Sequence, residues 1–237
     1  MAPGAARELT EGLLPTVRYA TRREPDVAID FGQTKLGGAP DLARGTYWPA
    51  ITGADGERKL LQFFAQVDLA EALAAAPAEF DWGVSAGLLS FFAALEPGAD
   101  PPPGEVPCAV LLSSLNVPMA RLGLRIEPLA CAQLAPVGTW TWPPLAALPA
   151  LDGDIEADLL LRTEEPYHLT ARHQLGGHCP VPLPDGEVAL FQFDSDSSLE
   201  LTWGAAAGAV VWSLSRASLA AGDWTAAKVR VLATPAS

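Results

Sequence analysis

The chain has little positive charge, few cysteines and no long apolar run. Its 237 residues include 15 Lys and Arg against 28 Asp and Glu, a net charge of −13. Nucleic acids and anionic membranes attract clustered positive charge, so this balance argues against both as partners. The three cysteines are widely spaced and form no CxxC pair, which is typical of the reducing cytoplasm. No segment approaches the roughly 20 apolar residues that span a bilayer. We therefore expect a cytoplasmic protein that binds neither nucleic acid nor membrane.

Catalytic motifs are scarce as well. The sequence has no phosphate-binding loop, dinucleotide fingerprint or HExxH motif. Gly83–Gly87 matches the GxSxG pattern of serine hydrolases, which requires a helix after the serine. Here an apolar strand is predicted to follow over Leu88–Leu95. We therefore favour a non-catalytic protein and assign it neither catalytic residues nor a cofactor.

The most informative feature that is present is a unit that occurs twice. Three short segments return in the same order later in the chain. The matching pairs are Leu36–Gly38 with Leu175–Gly177, Phe64–Asp68 with Leu190–Asp194, and Trp82–Gly87 with Trp203–Gly208. Repetition of this kind identifies a structural unit. Ala206 stands where the first unit has Ser85, which is a further argument against a catalytic serine.

Local patterns predict many short strands and a few short helices. The predicted strands are Thr16–Thr21, Val27–Phe31, Leu60–Val67, Leu88–Leu95, Ala109–Ser113, an interrupted Leu122–Gln133, Val188–Asp194, Ala209–Leu214 and Lys228–Leu232. Asp68 is expected to cap a helix that ends at Pro77, and Ser215 a helical turn through Leu219. A further short helix is expected over Asp154–Leu161.

These elements predict an α+β fold, rich in β-strands, with two similar halves related by a pseudo-twofold axis. We expect residues 1–237 to form a single domain. The first half covers 16–96 and the second half 165–234. Between them, 97–150 contains Pro101–Pro103 and Pro143–Pro144 and is predicted to be a proline-rich connector with ordered strands.

Motifs in both halves resemble a bacterial family. They are Lys35–Gly38 with Pro40, Trp48–Pro49, Leu61–Leu69 and Gly87–Phe92 in the first half, and His173–Gly177 and Gln192–Asp194 in the second. Together they resemble the YwqG-like proteins, a domain of unknown function, over residues 16–234. The resemblance implies an α+β fold with two β-rich halves in a soluble bacterial protein. It implies no catalytic residues, and it suggests an immunity-like role, since some members are thought to accompany toxin systems.

Four polar residues at equivalent places form the first candidate site. Gln66 and Asp68, like Gln192 and Asp194, are two positions apart and therefore share one face of a strand. If the halves pack symmetrically, the four side chains could line a ligand-binding cleft between them. In the alternative, Asp68 caps a helix and the glutamines satisfy backbone groups at the sheet ends.

Tryptophans outside the repeated unit are the candidates for partner binding. Trp140 and Trp142 would point the same way on a strand, and Trp48 belongs to neither repeated segment. Exposed tryptophans are frequent hot spots of protein interfaces. Buried tryptophans of the core are the alternative.

A metal site is not predicted, although one region contains metal-binding residue types. His168, His173, His178 and Cys179 occur within twelve residues. The histidines are five positions apart, a spacing that does not converge on a strand or a helix. Zinc needs three or four converging ligands, so His173 is expected to be a structural hydrogen-bond donor.

The function that we infer from the sequence is non-catalytic binding of a protein partner. An acidic surface would attract a basic partner, such as a toxin domain, and aromatic anchors would hold it. The alternative function is a small-ligand binder or unrecognised enzyme that uses the cleft between the halves.

Overall fold

One large antiparallel sheet organises the chain. The computed structural model describes residues 12–53, 56–96, 106–123, 126–143, 173–179, 182–203 and 208–232. Its strands are β1 (Leu14–Arg23), β2 (Lys35–Leu36), β3 (Asp41–Ala43), β4 (Ala50–Thr52), β5 (Arg58–Leu60), β6 (Gln62–Asp68), β7 (Leu88–Ala93), β8 (Cys108–Ser113), β9 (Met119–Arg121), β10 (Ala132–Thr141), β11 (Gln174–Gly176), β12 (Glu187–Asp194), β13 (Ala209–Ser215) and β14 (Lys228–Leu232). Ten of these described strands form a sheet in the order β14-β13-β12-β11-β1-β10-β2-β6-β7-β8, while β3 pairs with β9 and β4 with β5.

The large sheet curls until its two edges nearly meet. Val106, just before β8, forms a β-bridge with Val229 in β14. The Cys108 thiol donates to the Ala227 carbonyl oxygen at 3.2 Å. Contact between β8 and the segment before β14 covers edges that would otherwise be open to pairing with another chain.

Aromatic side chains from both halves fill the interior of the curled sheet. The Phe64 ring lies 5.4 Å from that of Phe193 and 4.9 Å from that of Trp212. Phe91 stacks on Phe191 with ring centroids 5.0 Å apart. Such pairs combine a large buried apolar area with favourable ring geometry, so they join β6 and β7 to β12 and β13.

Strands that carry matching sequence segments occupy equivalent places in the sheet. β2 and β11 flank the central pair β1–β10, and β6 and β12 lie next to them. Lys35 pairs with Gln66 across β2–β6, as Gln174 pairs with Gln192 across β11–β12. The strand register also shifts at equivalent residues. The shift is at Phe64 in β6 and at Leu190 in β12, and these two residues match in the sequence alignment of the segments. The β-rich character that the sequence predicts is confirmed.

Two short α-helices are described, and both follow a strand. α1 (Leu69–Ala75) begins after Asp68, whose carboxylate accepts from the Ala70 amide at 2.9 Å. α2 (Arg216–Ala221) begins after Ser215, whose hydroxyl accepts from the Ser218 amide at 3.0 Å. Both caps confirm the sequence prediction, because an oxygen at the N-cap satisfies an amide that the helix leaves free. None of the described helices is long and apolar enough to cross a membrane.

Two local predictions differ from the structure. The predicted strand over Val27–Phe31 is wrong, because a 3-10 helix, Asp26–Ala28, begins after Pro25. The interrupted strand predicted over Leu122–Gln133 is displaced, because β9 ends at Arg121 and β10 begins only at Ala132. The predicted connector supplies β8, β9 and β10, and β10 lies at the centre of the sheet. The helix predicted over Asp154–Leu161 lies outside the described residues.

Candidate functional site

Two buried charged side chains lie between β2, β3 and β9. The side chains of Lys35 and Asp41 have no exposed surface. Lys35 donates to Asp26 Oδ1 and to the Ala39 carbonyl oxygen, each at 2.6 Å. Arg121 holds Asp41 by two hydrogen bonds, Nε to Oδ1 at 2.7 Å and Nη2 to Oδ2 at 3.1 Å. We call Asp26, Lys35, Asp41 and Arg121 the ion-pair network. It joins two cations to two anions, so each buried charge has a partner.

Gln66 is part of the surroundings of this network. Its amide oxygen accepts from the Asp41 N–H, and its amide nitrogen donates to Asp41 Oδ2 and to the Gln33 carbonyl oxygen, all at 2.9 Å. Burial alone would raise the pKa of Asp41, but the Arg121 hydrogen bond, the Lys35 charge and the Gln66 hydrogen bond together lower it. Asp41 is therefore ionised at neutral pH, and Gln66 orients it.

The loops around the network carry most of the exposed large apolar side chains. Seven such side chains occur among the described residues, and the loop surface, as we call it, comprises five of them: Val27, Phe31, Tyr47, Leu115 and Val117. Val27 is 93% exposed, Tyr47 84% and Phe31 63%. A contiguous patch of exposed apolar side chains is a candidate interaction surface, whereas scattered single ones are ordinary.

Arg121 of the ion-pair network contacts the loop that carries part of the loop surface. The Arg121 guanidinium lies 4.8 Å from the centre of the Phe31 ring, in a cation–π contact. A Cβ atom added to Gly32 would come within 2.8 Å of a Leu115 methyl group, so these two loops touch. Arg121 also donates to the Asp26 carbonyl oxygen, which ties the start of the loop to β9. The loop that carries Val27 and Phe31 is therefore held against β9 and against Leu115.

The other members of the predicted cleft have local partners. Asp68 caps α1, as its alternative interpretation predicts. Gln192 donates to Asp194 Oδ1 at 2.7 Å, two residues along the same strand. The Gln66 contacts, in contrast, lie around the ion-pair network. The structure thus gives Gln66 and Gln192 different surroundings, and a cleft shared by these four residues stays a prediction.

The three candidate tryptophans differ in exposure. Trp48 is only 6% exposed, and its indole N–H donates to the Leu61 carbonyl oxygen at 2.7 Å. It contacts Phe92 in an apolar cluster, so the core alternative describes it. Trp140 is exposed at the end of β10, and Trp142 is half-buried.

Phe31 and Tyr47 were not identified as candidates from the sequence, although each lies beside a turn that contains glycine.

His173 and Asp196 are the buried members of a second polar cluster, which we call the Asp196 cluster. The Nδ1 atom of His173 accepts from the Asp194 amide at 3.2 Å, and its Nε2 lies 3.2 Å from Asp196 Oδ2. Nε2 therefore carries the proton and donates to Asp196. The Ser198 hydroxyl donates to Asp196 Oδ1 at 2.6 Å, so Ser198 contacts the carboxylate and this arrangement lacks the serine–histidine bond of a hydrolase triad. Within the described residues, no three metal-binding side chains converge, and His168 lies outside them.

We expect the Asp196 cluster to make stability depend on pH. Burial alone would raise the pKa of Asp196, but hydrogen bonds from His173 and Ser198 lower it from 3.8 to about 2. A carboxylate whose pKa is lowered by folding stabilises the folded state at any pH above its pKa in the unfolded chain. This contribution is lost as the pH falls from about 4 to about 2. The stability deficit of Asp196→Asn, measured by urea unfolding, should therefore shrink across that window. Asp185→Asn, at an exposed turn, is the control and should show no such change. A deficit independent of pH would contradict this expectation.

His178 and Cys179 line a separate cavity of about 740 Å³. Its lining includes residues 79–83 from the first half, and residues 176–179, 182–183 and 187–189 together with part of α2 from the second. Burial lowers the pKa of His178, whose Nε2 lies 2.7 Å from the Gly12 carbonyl oxygen. Burial raises the pKa of Cys179 to about 12. At neutral pH the histidine is uncharged and the cysteine is a thiol, so neither supplies charge to the cavity.

Comparison with known proteins supplies a family for this arrangement. No curated protein matches the chain in sequence. One family model matches residues 34–231, from just before β2 into β14, and includes Lys35, Asp41 and Arg121 of the ion-pair network as well as His173 and Asp196. Because the match covers most of the chain, the protein belongs to the family described as a domain of unknown function, DUF1963.

Proposed function

We propose that this protein is a non-catalytic binding protein that recognises a basic protein partner through the loop surface. The observation that carries the proposal is the concentration of exposed Val27, Phe31, Tyr47, Leu115 and Val117 around the buried ion-pair network. A monomeric protein gains nothing in folding from exposing such side chains together, whereas a partner would bury them.

The aromatic side chains of the loop surface would provide most of the affinity. Tyr and other large aromatic side chains are frequent hot spots, with losses of about 2 kcal/mol or more when truncated. Phe31 is already oriented by Arg121, and this preorganisation reduces the entropy lost on binding. The buried network thereby contributes to recognition without contacting the partner itself.

The charge of the chain favours a basic partner. A net charge of −13 raises the local concentration of positively charged proteins and speeds their encounter. Screening by salt shortens the range of that attraction to about 8 Å near physiological ionic strength. Association should therefore slow as salt is added, while the apolar contacts persist.

Four finer statements are part of this proposal: an internal duplication, the YwqG-like identification, an immunity-like role and a cytoplasmic location. The equivalent places of matching segments in the sheet support an internal duplication with a pseudo-twofold axis between β1 and β10. The motifs around Gly37 and Gly176 support the YwqG-like identification. A basic toxin domain is the partner that would give the protein an immunity-like role, and a cytoplasmic location would suit it.

The experiment compares capture of proteins from the native cells by three baits. These are the unchanged protein, the triple variant Val27→Ser/Phe31→Ser/Tyr47→Ser, and the control Val137→Ser, which removes an exposed side chain in β10. We expect a basic protein to be captured by the first and third baits but not by the triple variant. With the purified pair, the triple variant should raise Kd at least about tenfold, and added salt should slow association.

Two results would overturn the proposal. One is equal affinity of the triple variant and the unchanged protein for the captured partner. The other is self-association of the purified protein that the triple variant abolishes, because a second copy of the chain would then occupy the loop surface. Circular dichroism of each variant verifies that the fold is retained.

A further inference from the structure

The cavity between the halves has walls from distant parts of the chain. Leu14 and Pro15 of β1 line it, as does Pro143, which follows β10. Residues 79–83, Val188 and Leu219 of α2 also belong to the lining. Its volume of about 740 Å³ is within the range of roughly 300–1,000 Å³ that small-molecule sites occupy.

An aromatic pair lines the cavity, and both of its side chains are largely buried. Phe80 and Trp82 lie with ring centroids 5.2 Å apart at a 36° angle. The pair is held against the glycine turn at the end of β11, since a Cβ on Gly176 would lie 2.6 Å from the Phe80 ring. Aromatic faces attract both apolar groups and organic cations, and tryptophan attracts cations most strongly.

Acidic side chains alternate with these aromatics along the chain. Glu79 and Asp81 are both exposed and both line the cavity. The Asp81 carboxylate accepts from the Gly83 amide at 2.7 Å, which fixes its position beside Trp82. Glu187 also lines the cavity, but Arg230 neutralises it through hydrogen bonds of 2.6 and 3.0 Å.

Positive charge is scarcer than negative charge in the cavity lining. Arg216 of α2 is the cationic side chain among the described residues that line the cavity. Two exposed carboxylates against one guanidinium leave the cavity negative, in keeping with the acidic chain as a whole. A ligand that complements these walls has an apolar body and a positive charge at one end.

We propose that this cavity binds a small amphipathic organic cation, with its apolar body against Phe80 and Trp82 and its ammonium group at Glu79 and Asp81. The site is separate from the loop surface, and its ligand belongs to a different chemical class from the protein partner. The proposal specifies the chemical class of ligand for the alternative function, a small-ligand site between the halves. It does not depend on partner binding at the loop surface.

Three probes of one carbon skeleton test the proposal by calorimetry on the full chain: 4-phenylbutylamine, 4-phenylbutanol and 4-phenylbutyrate. The amine should bind about tenfold more tightly than the alcohol, and the carboxylate most weakly. In the double variant Glu79→Gln/Asp81→Asn the amine should lose that advantage while the alcohol keeps its affinity. Asn at position 81 retains an oxygen to accept the Gly83 amide, so the turn is preserved. Glu96→Gln, at an exposed site outside the cavity, is the matched control and should change nothing.

A second variant tests the location. Ala220→Trp places a large side chain into the cavity from an exposed position on α2 and should weaken all three probes. Tyr47→Ser, on the loop surface, should leave amine binding unchanged, so failure at one site is distinguishable from failure at the other. Equal affinity for amine and alcohol, binding unaffected by Ala220→Trp, or no detectable binding of the amine would overturn the proposal.

Discussion

Replacing Asp41 by Asn is expected to lower the free energy of unfolding by about 3–5 kcal/mol, because breaking a buried ion pair leaves its partner charge without compensation. Asp41 has no exposed side-chain surface and accepts two hydrogen bonds from Arg121. Its Oδ2 also lies 4.0 Å from the buried ammonium of Lys35. An amide of the same shape would remove the negative charge and could turn an N–H group towards the guanidinium. Urea denaturation of both proteins measures the difference.

Asp30→Asn is the matched control for this prediction. Asp30 lies in the same loop region but is exposed, so the identical chemical change should alter stability by less than about 0.5 kcal/mol. A loss below about 1 kcal/mol for Asp41→Asn would show that the network is not the element that holds the loops. The same variant should also weaken partner binding, because the loop surface depends on the network for its shape.

Elements set by neighbouring residues could be predicted from the sequence. The final strand, Lys228–Leu232, has the predicted bounds, since alternation along five residues is visible in the chain itself. The caps of both helices were predictable because Asp68 and Ser215 act on amides only two or three residues away. Predictions failed where the decisive contact is distant. Val27–Phe31 has apolar residues suited to a strand, but the Asp26 carbonyl oxygen just before it accepts from Arg121, 95 residues on.

The ion-pair network shows the same limit at the candidate site. Asp41 and Arg121 are 80 residues apart, and no local sequence pattern predicts that β3 and β9 pair. The sequence indicated that Gln66 and Asp68 share a strand face, but not that Gln66 contacts Asp41. The exposure of the aromatic side chains could not be predicted from the sequence either. Trp48 is buried against Phe92 and donates to the Leu61 carbonyl oxygen, while Tyr47, its neighbour, is exposed.

The second large effect is expected at Gly37, in the turn that follows β2. This glycine has φ +58°, a left-handed conformation that costs other residues about 1–2 kcal/mol. Space is also lacking, because an alanine Cβ would lie 2.6 Å from the Leu129 carbonyl oxygen and closer still to that of Ala130. Both obstacles are backbone atoms of the segment that leads into β10, and that segment cannot move without disturbing the centre of the sheet. We therefore expect Gly37→Ala to lower the free energy of unfolding by about 3–4 kcal/mol.

Gly222 separates the two causes of this loss. It has φ +65°, close to that of Gly37, but a Cβ added there would meet nothing within 4 Å. Gly222→Ala therefore carries the conformational cost alone and should lower stability by about 1–2 kcal/mol. The difference between the two variants in urea denaturation measures how closely the turn after β2 approaches the start of β10. Equal losses would contradict that close approach and, with it, the tight junction between the first half and the central strands.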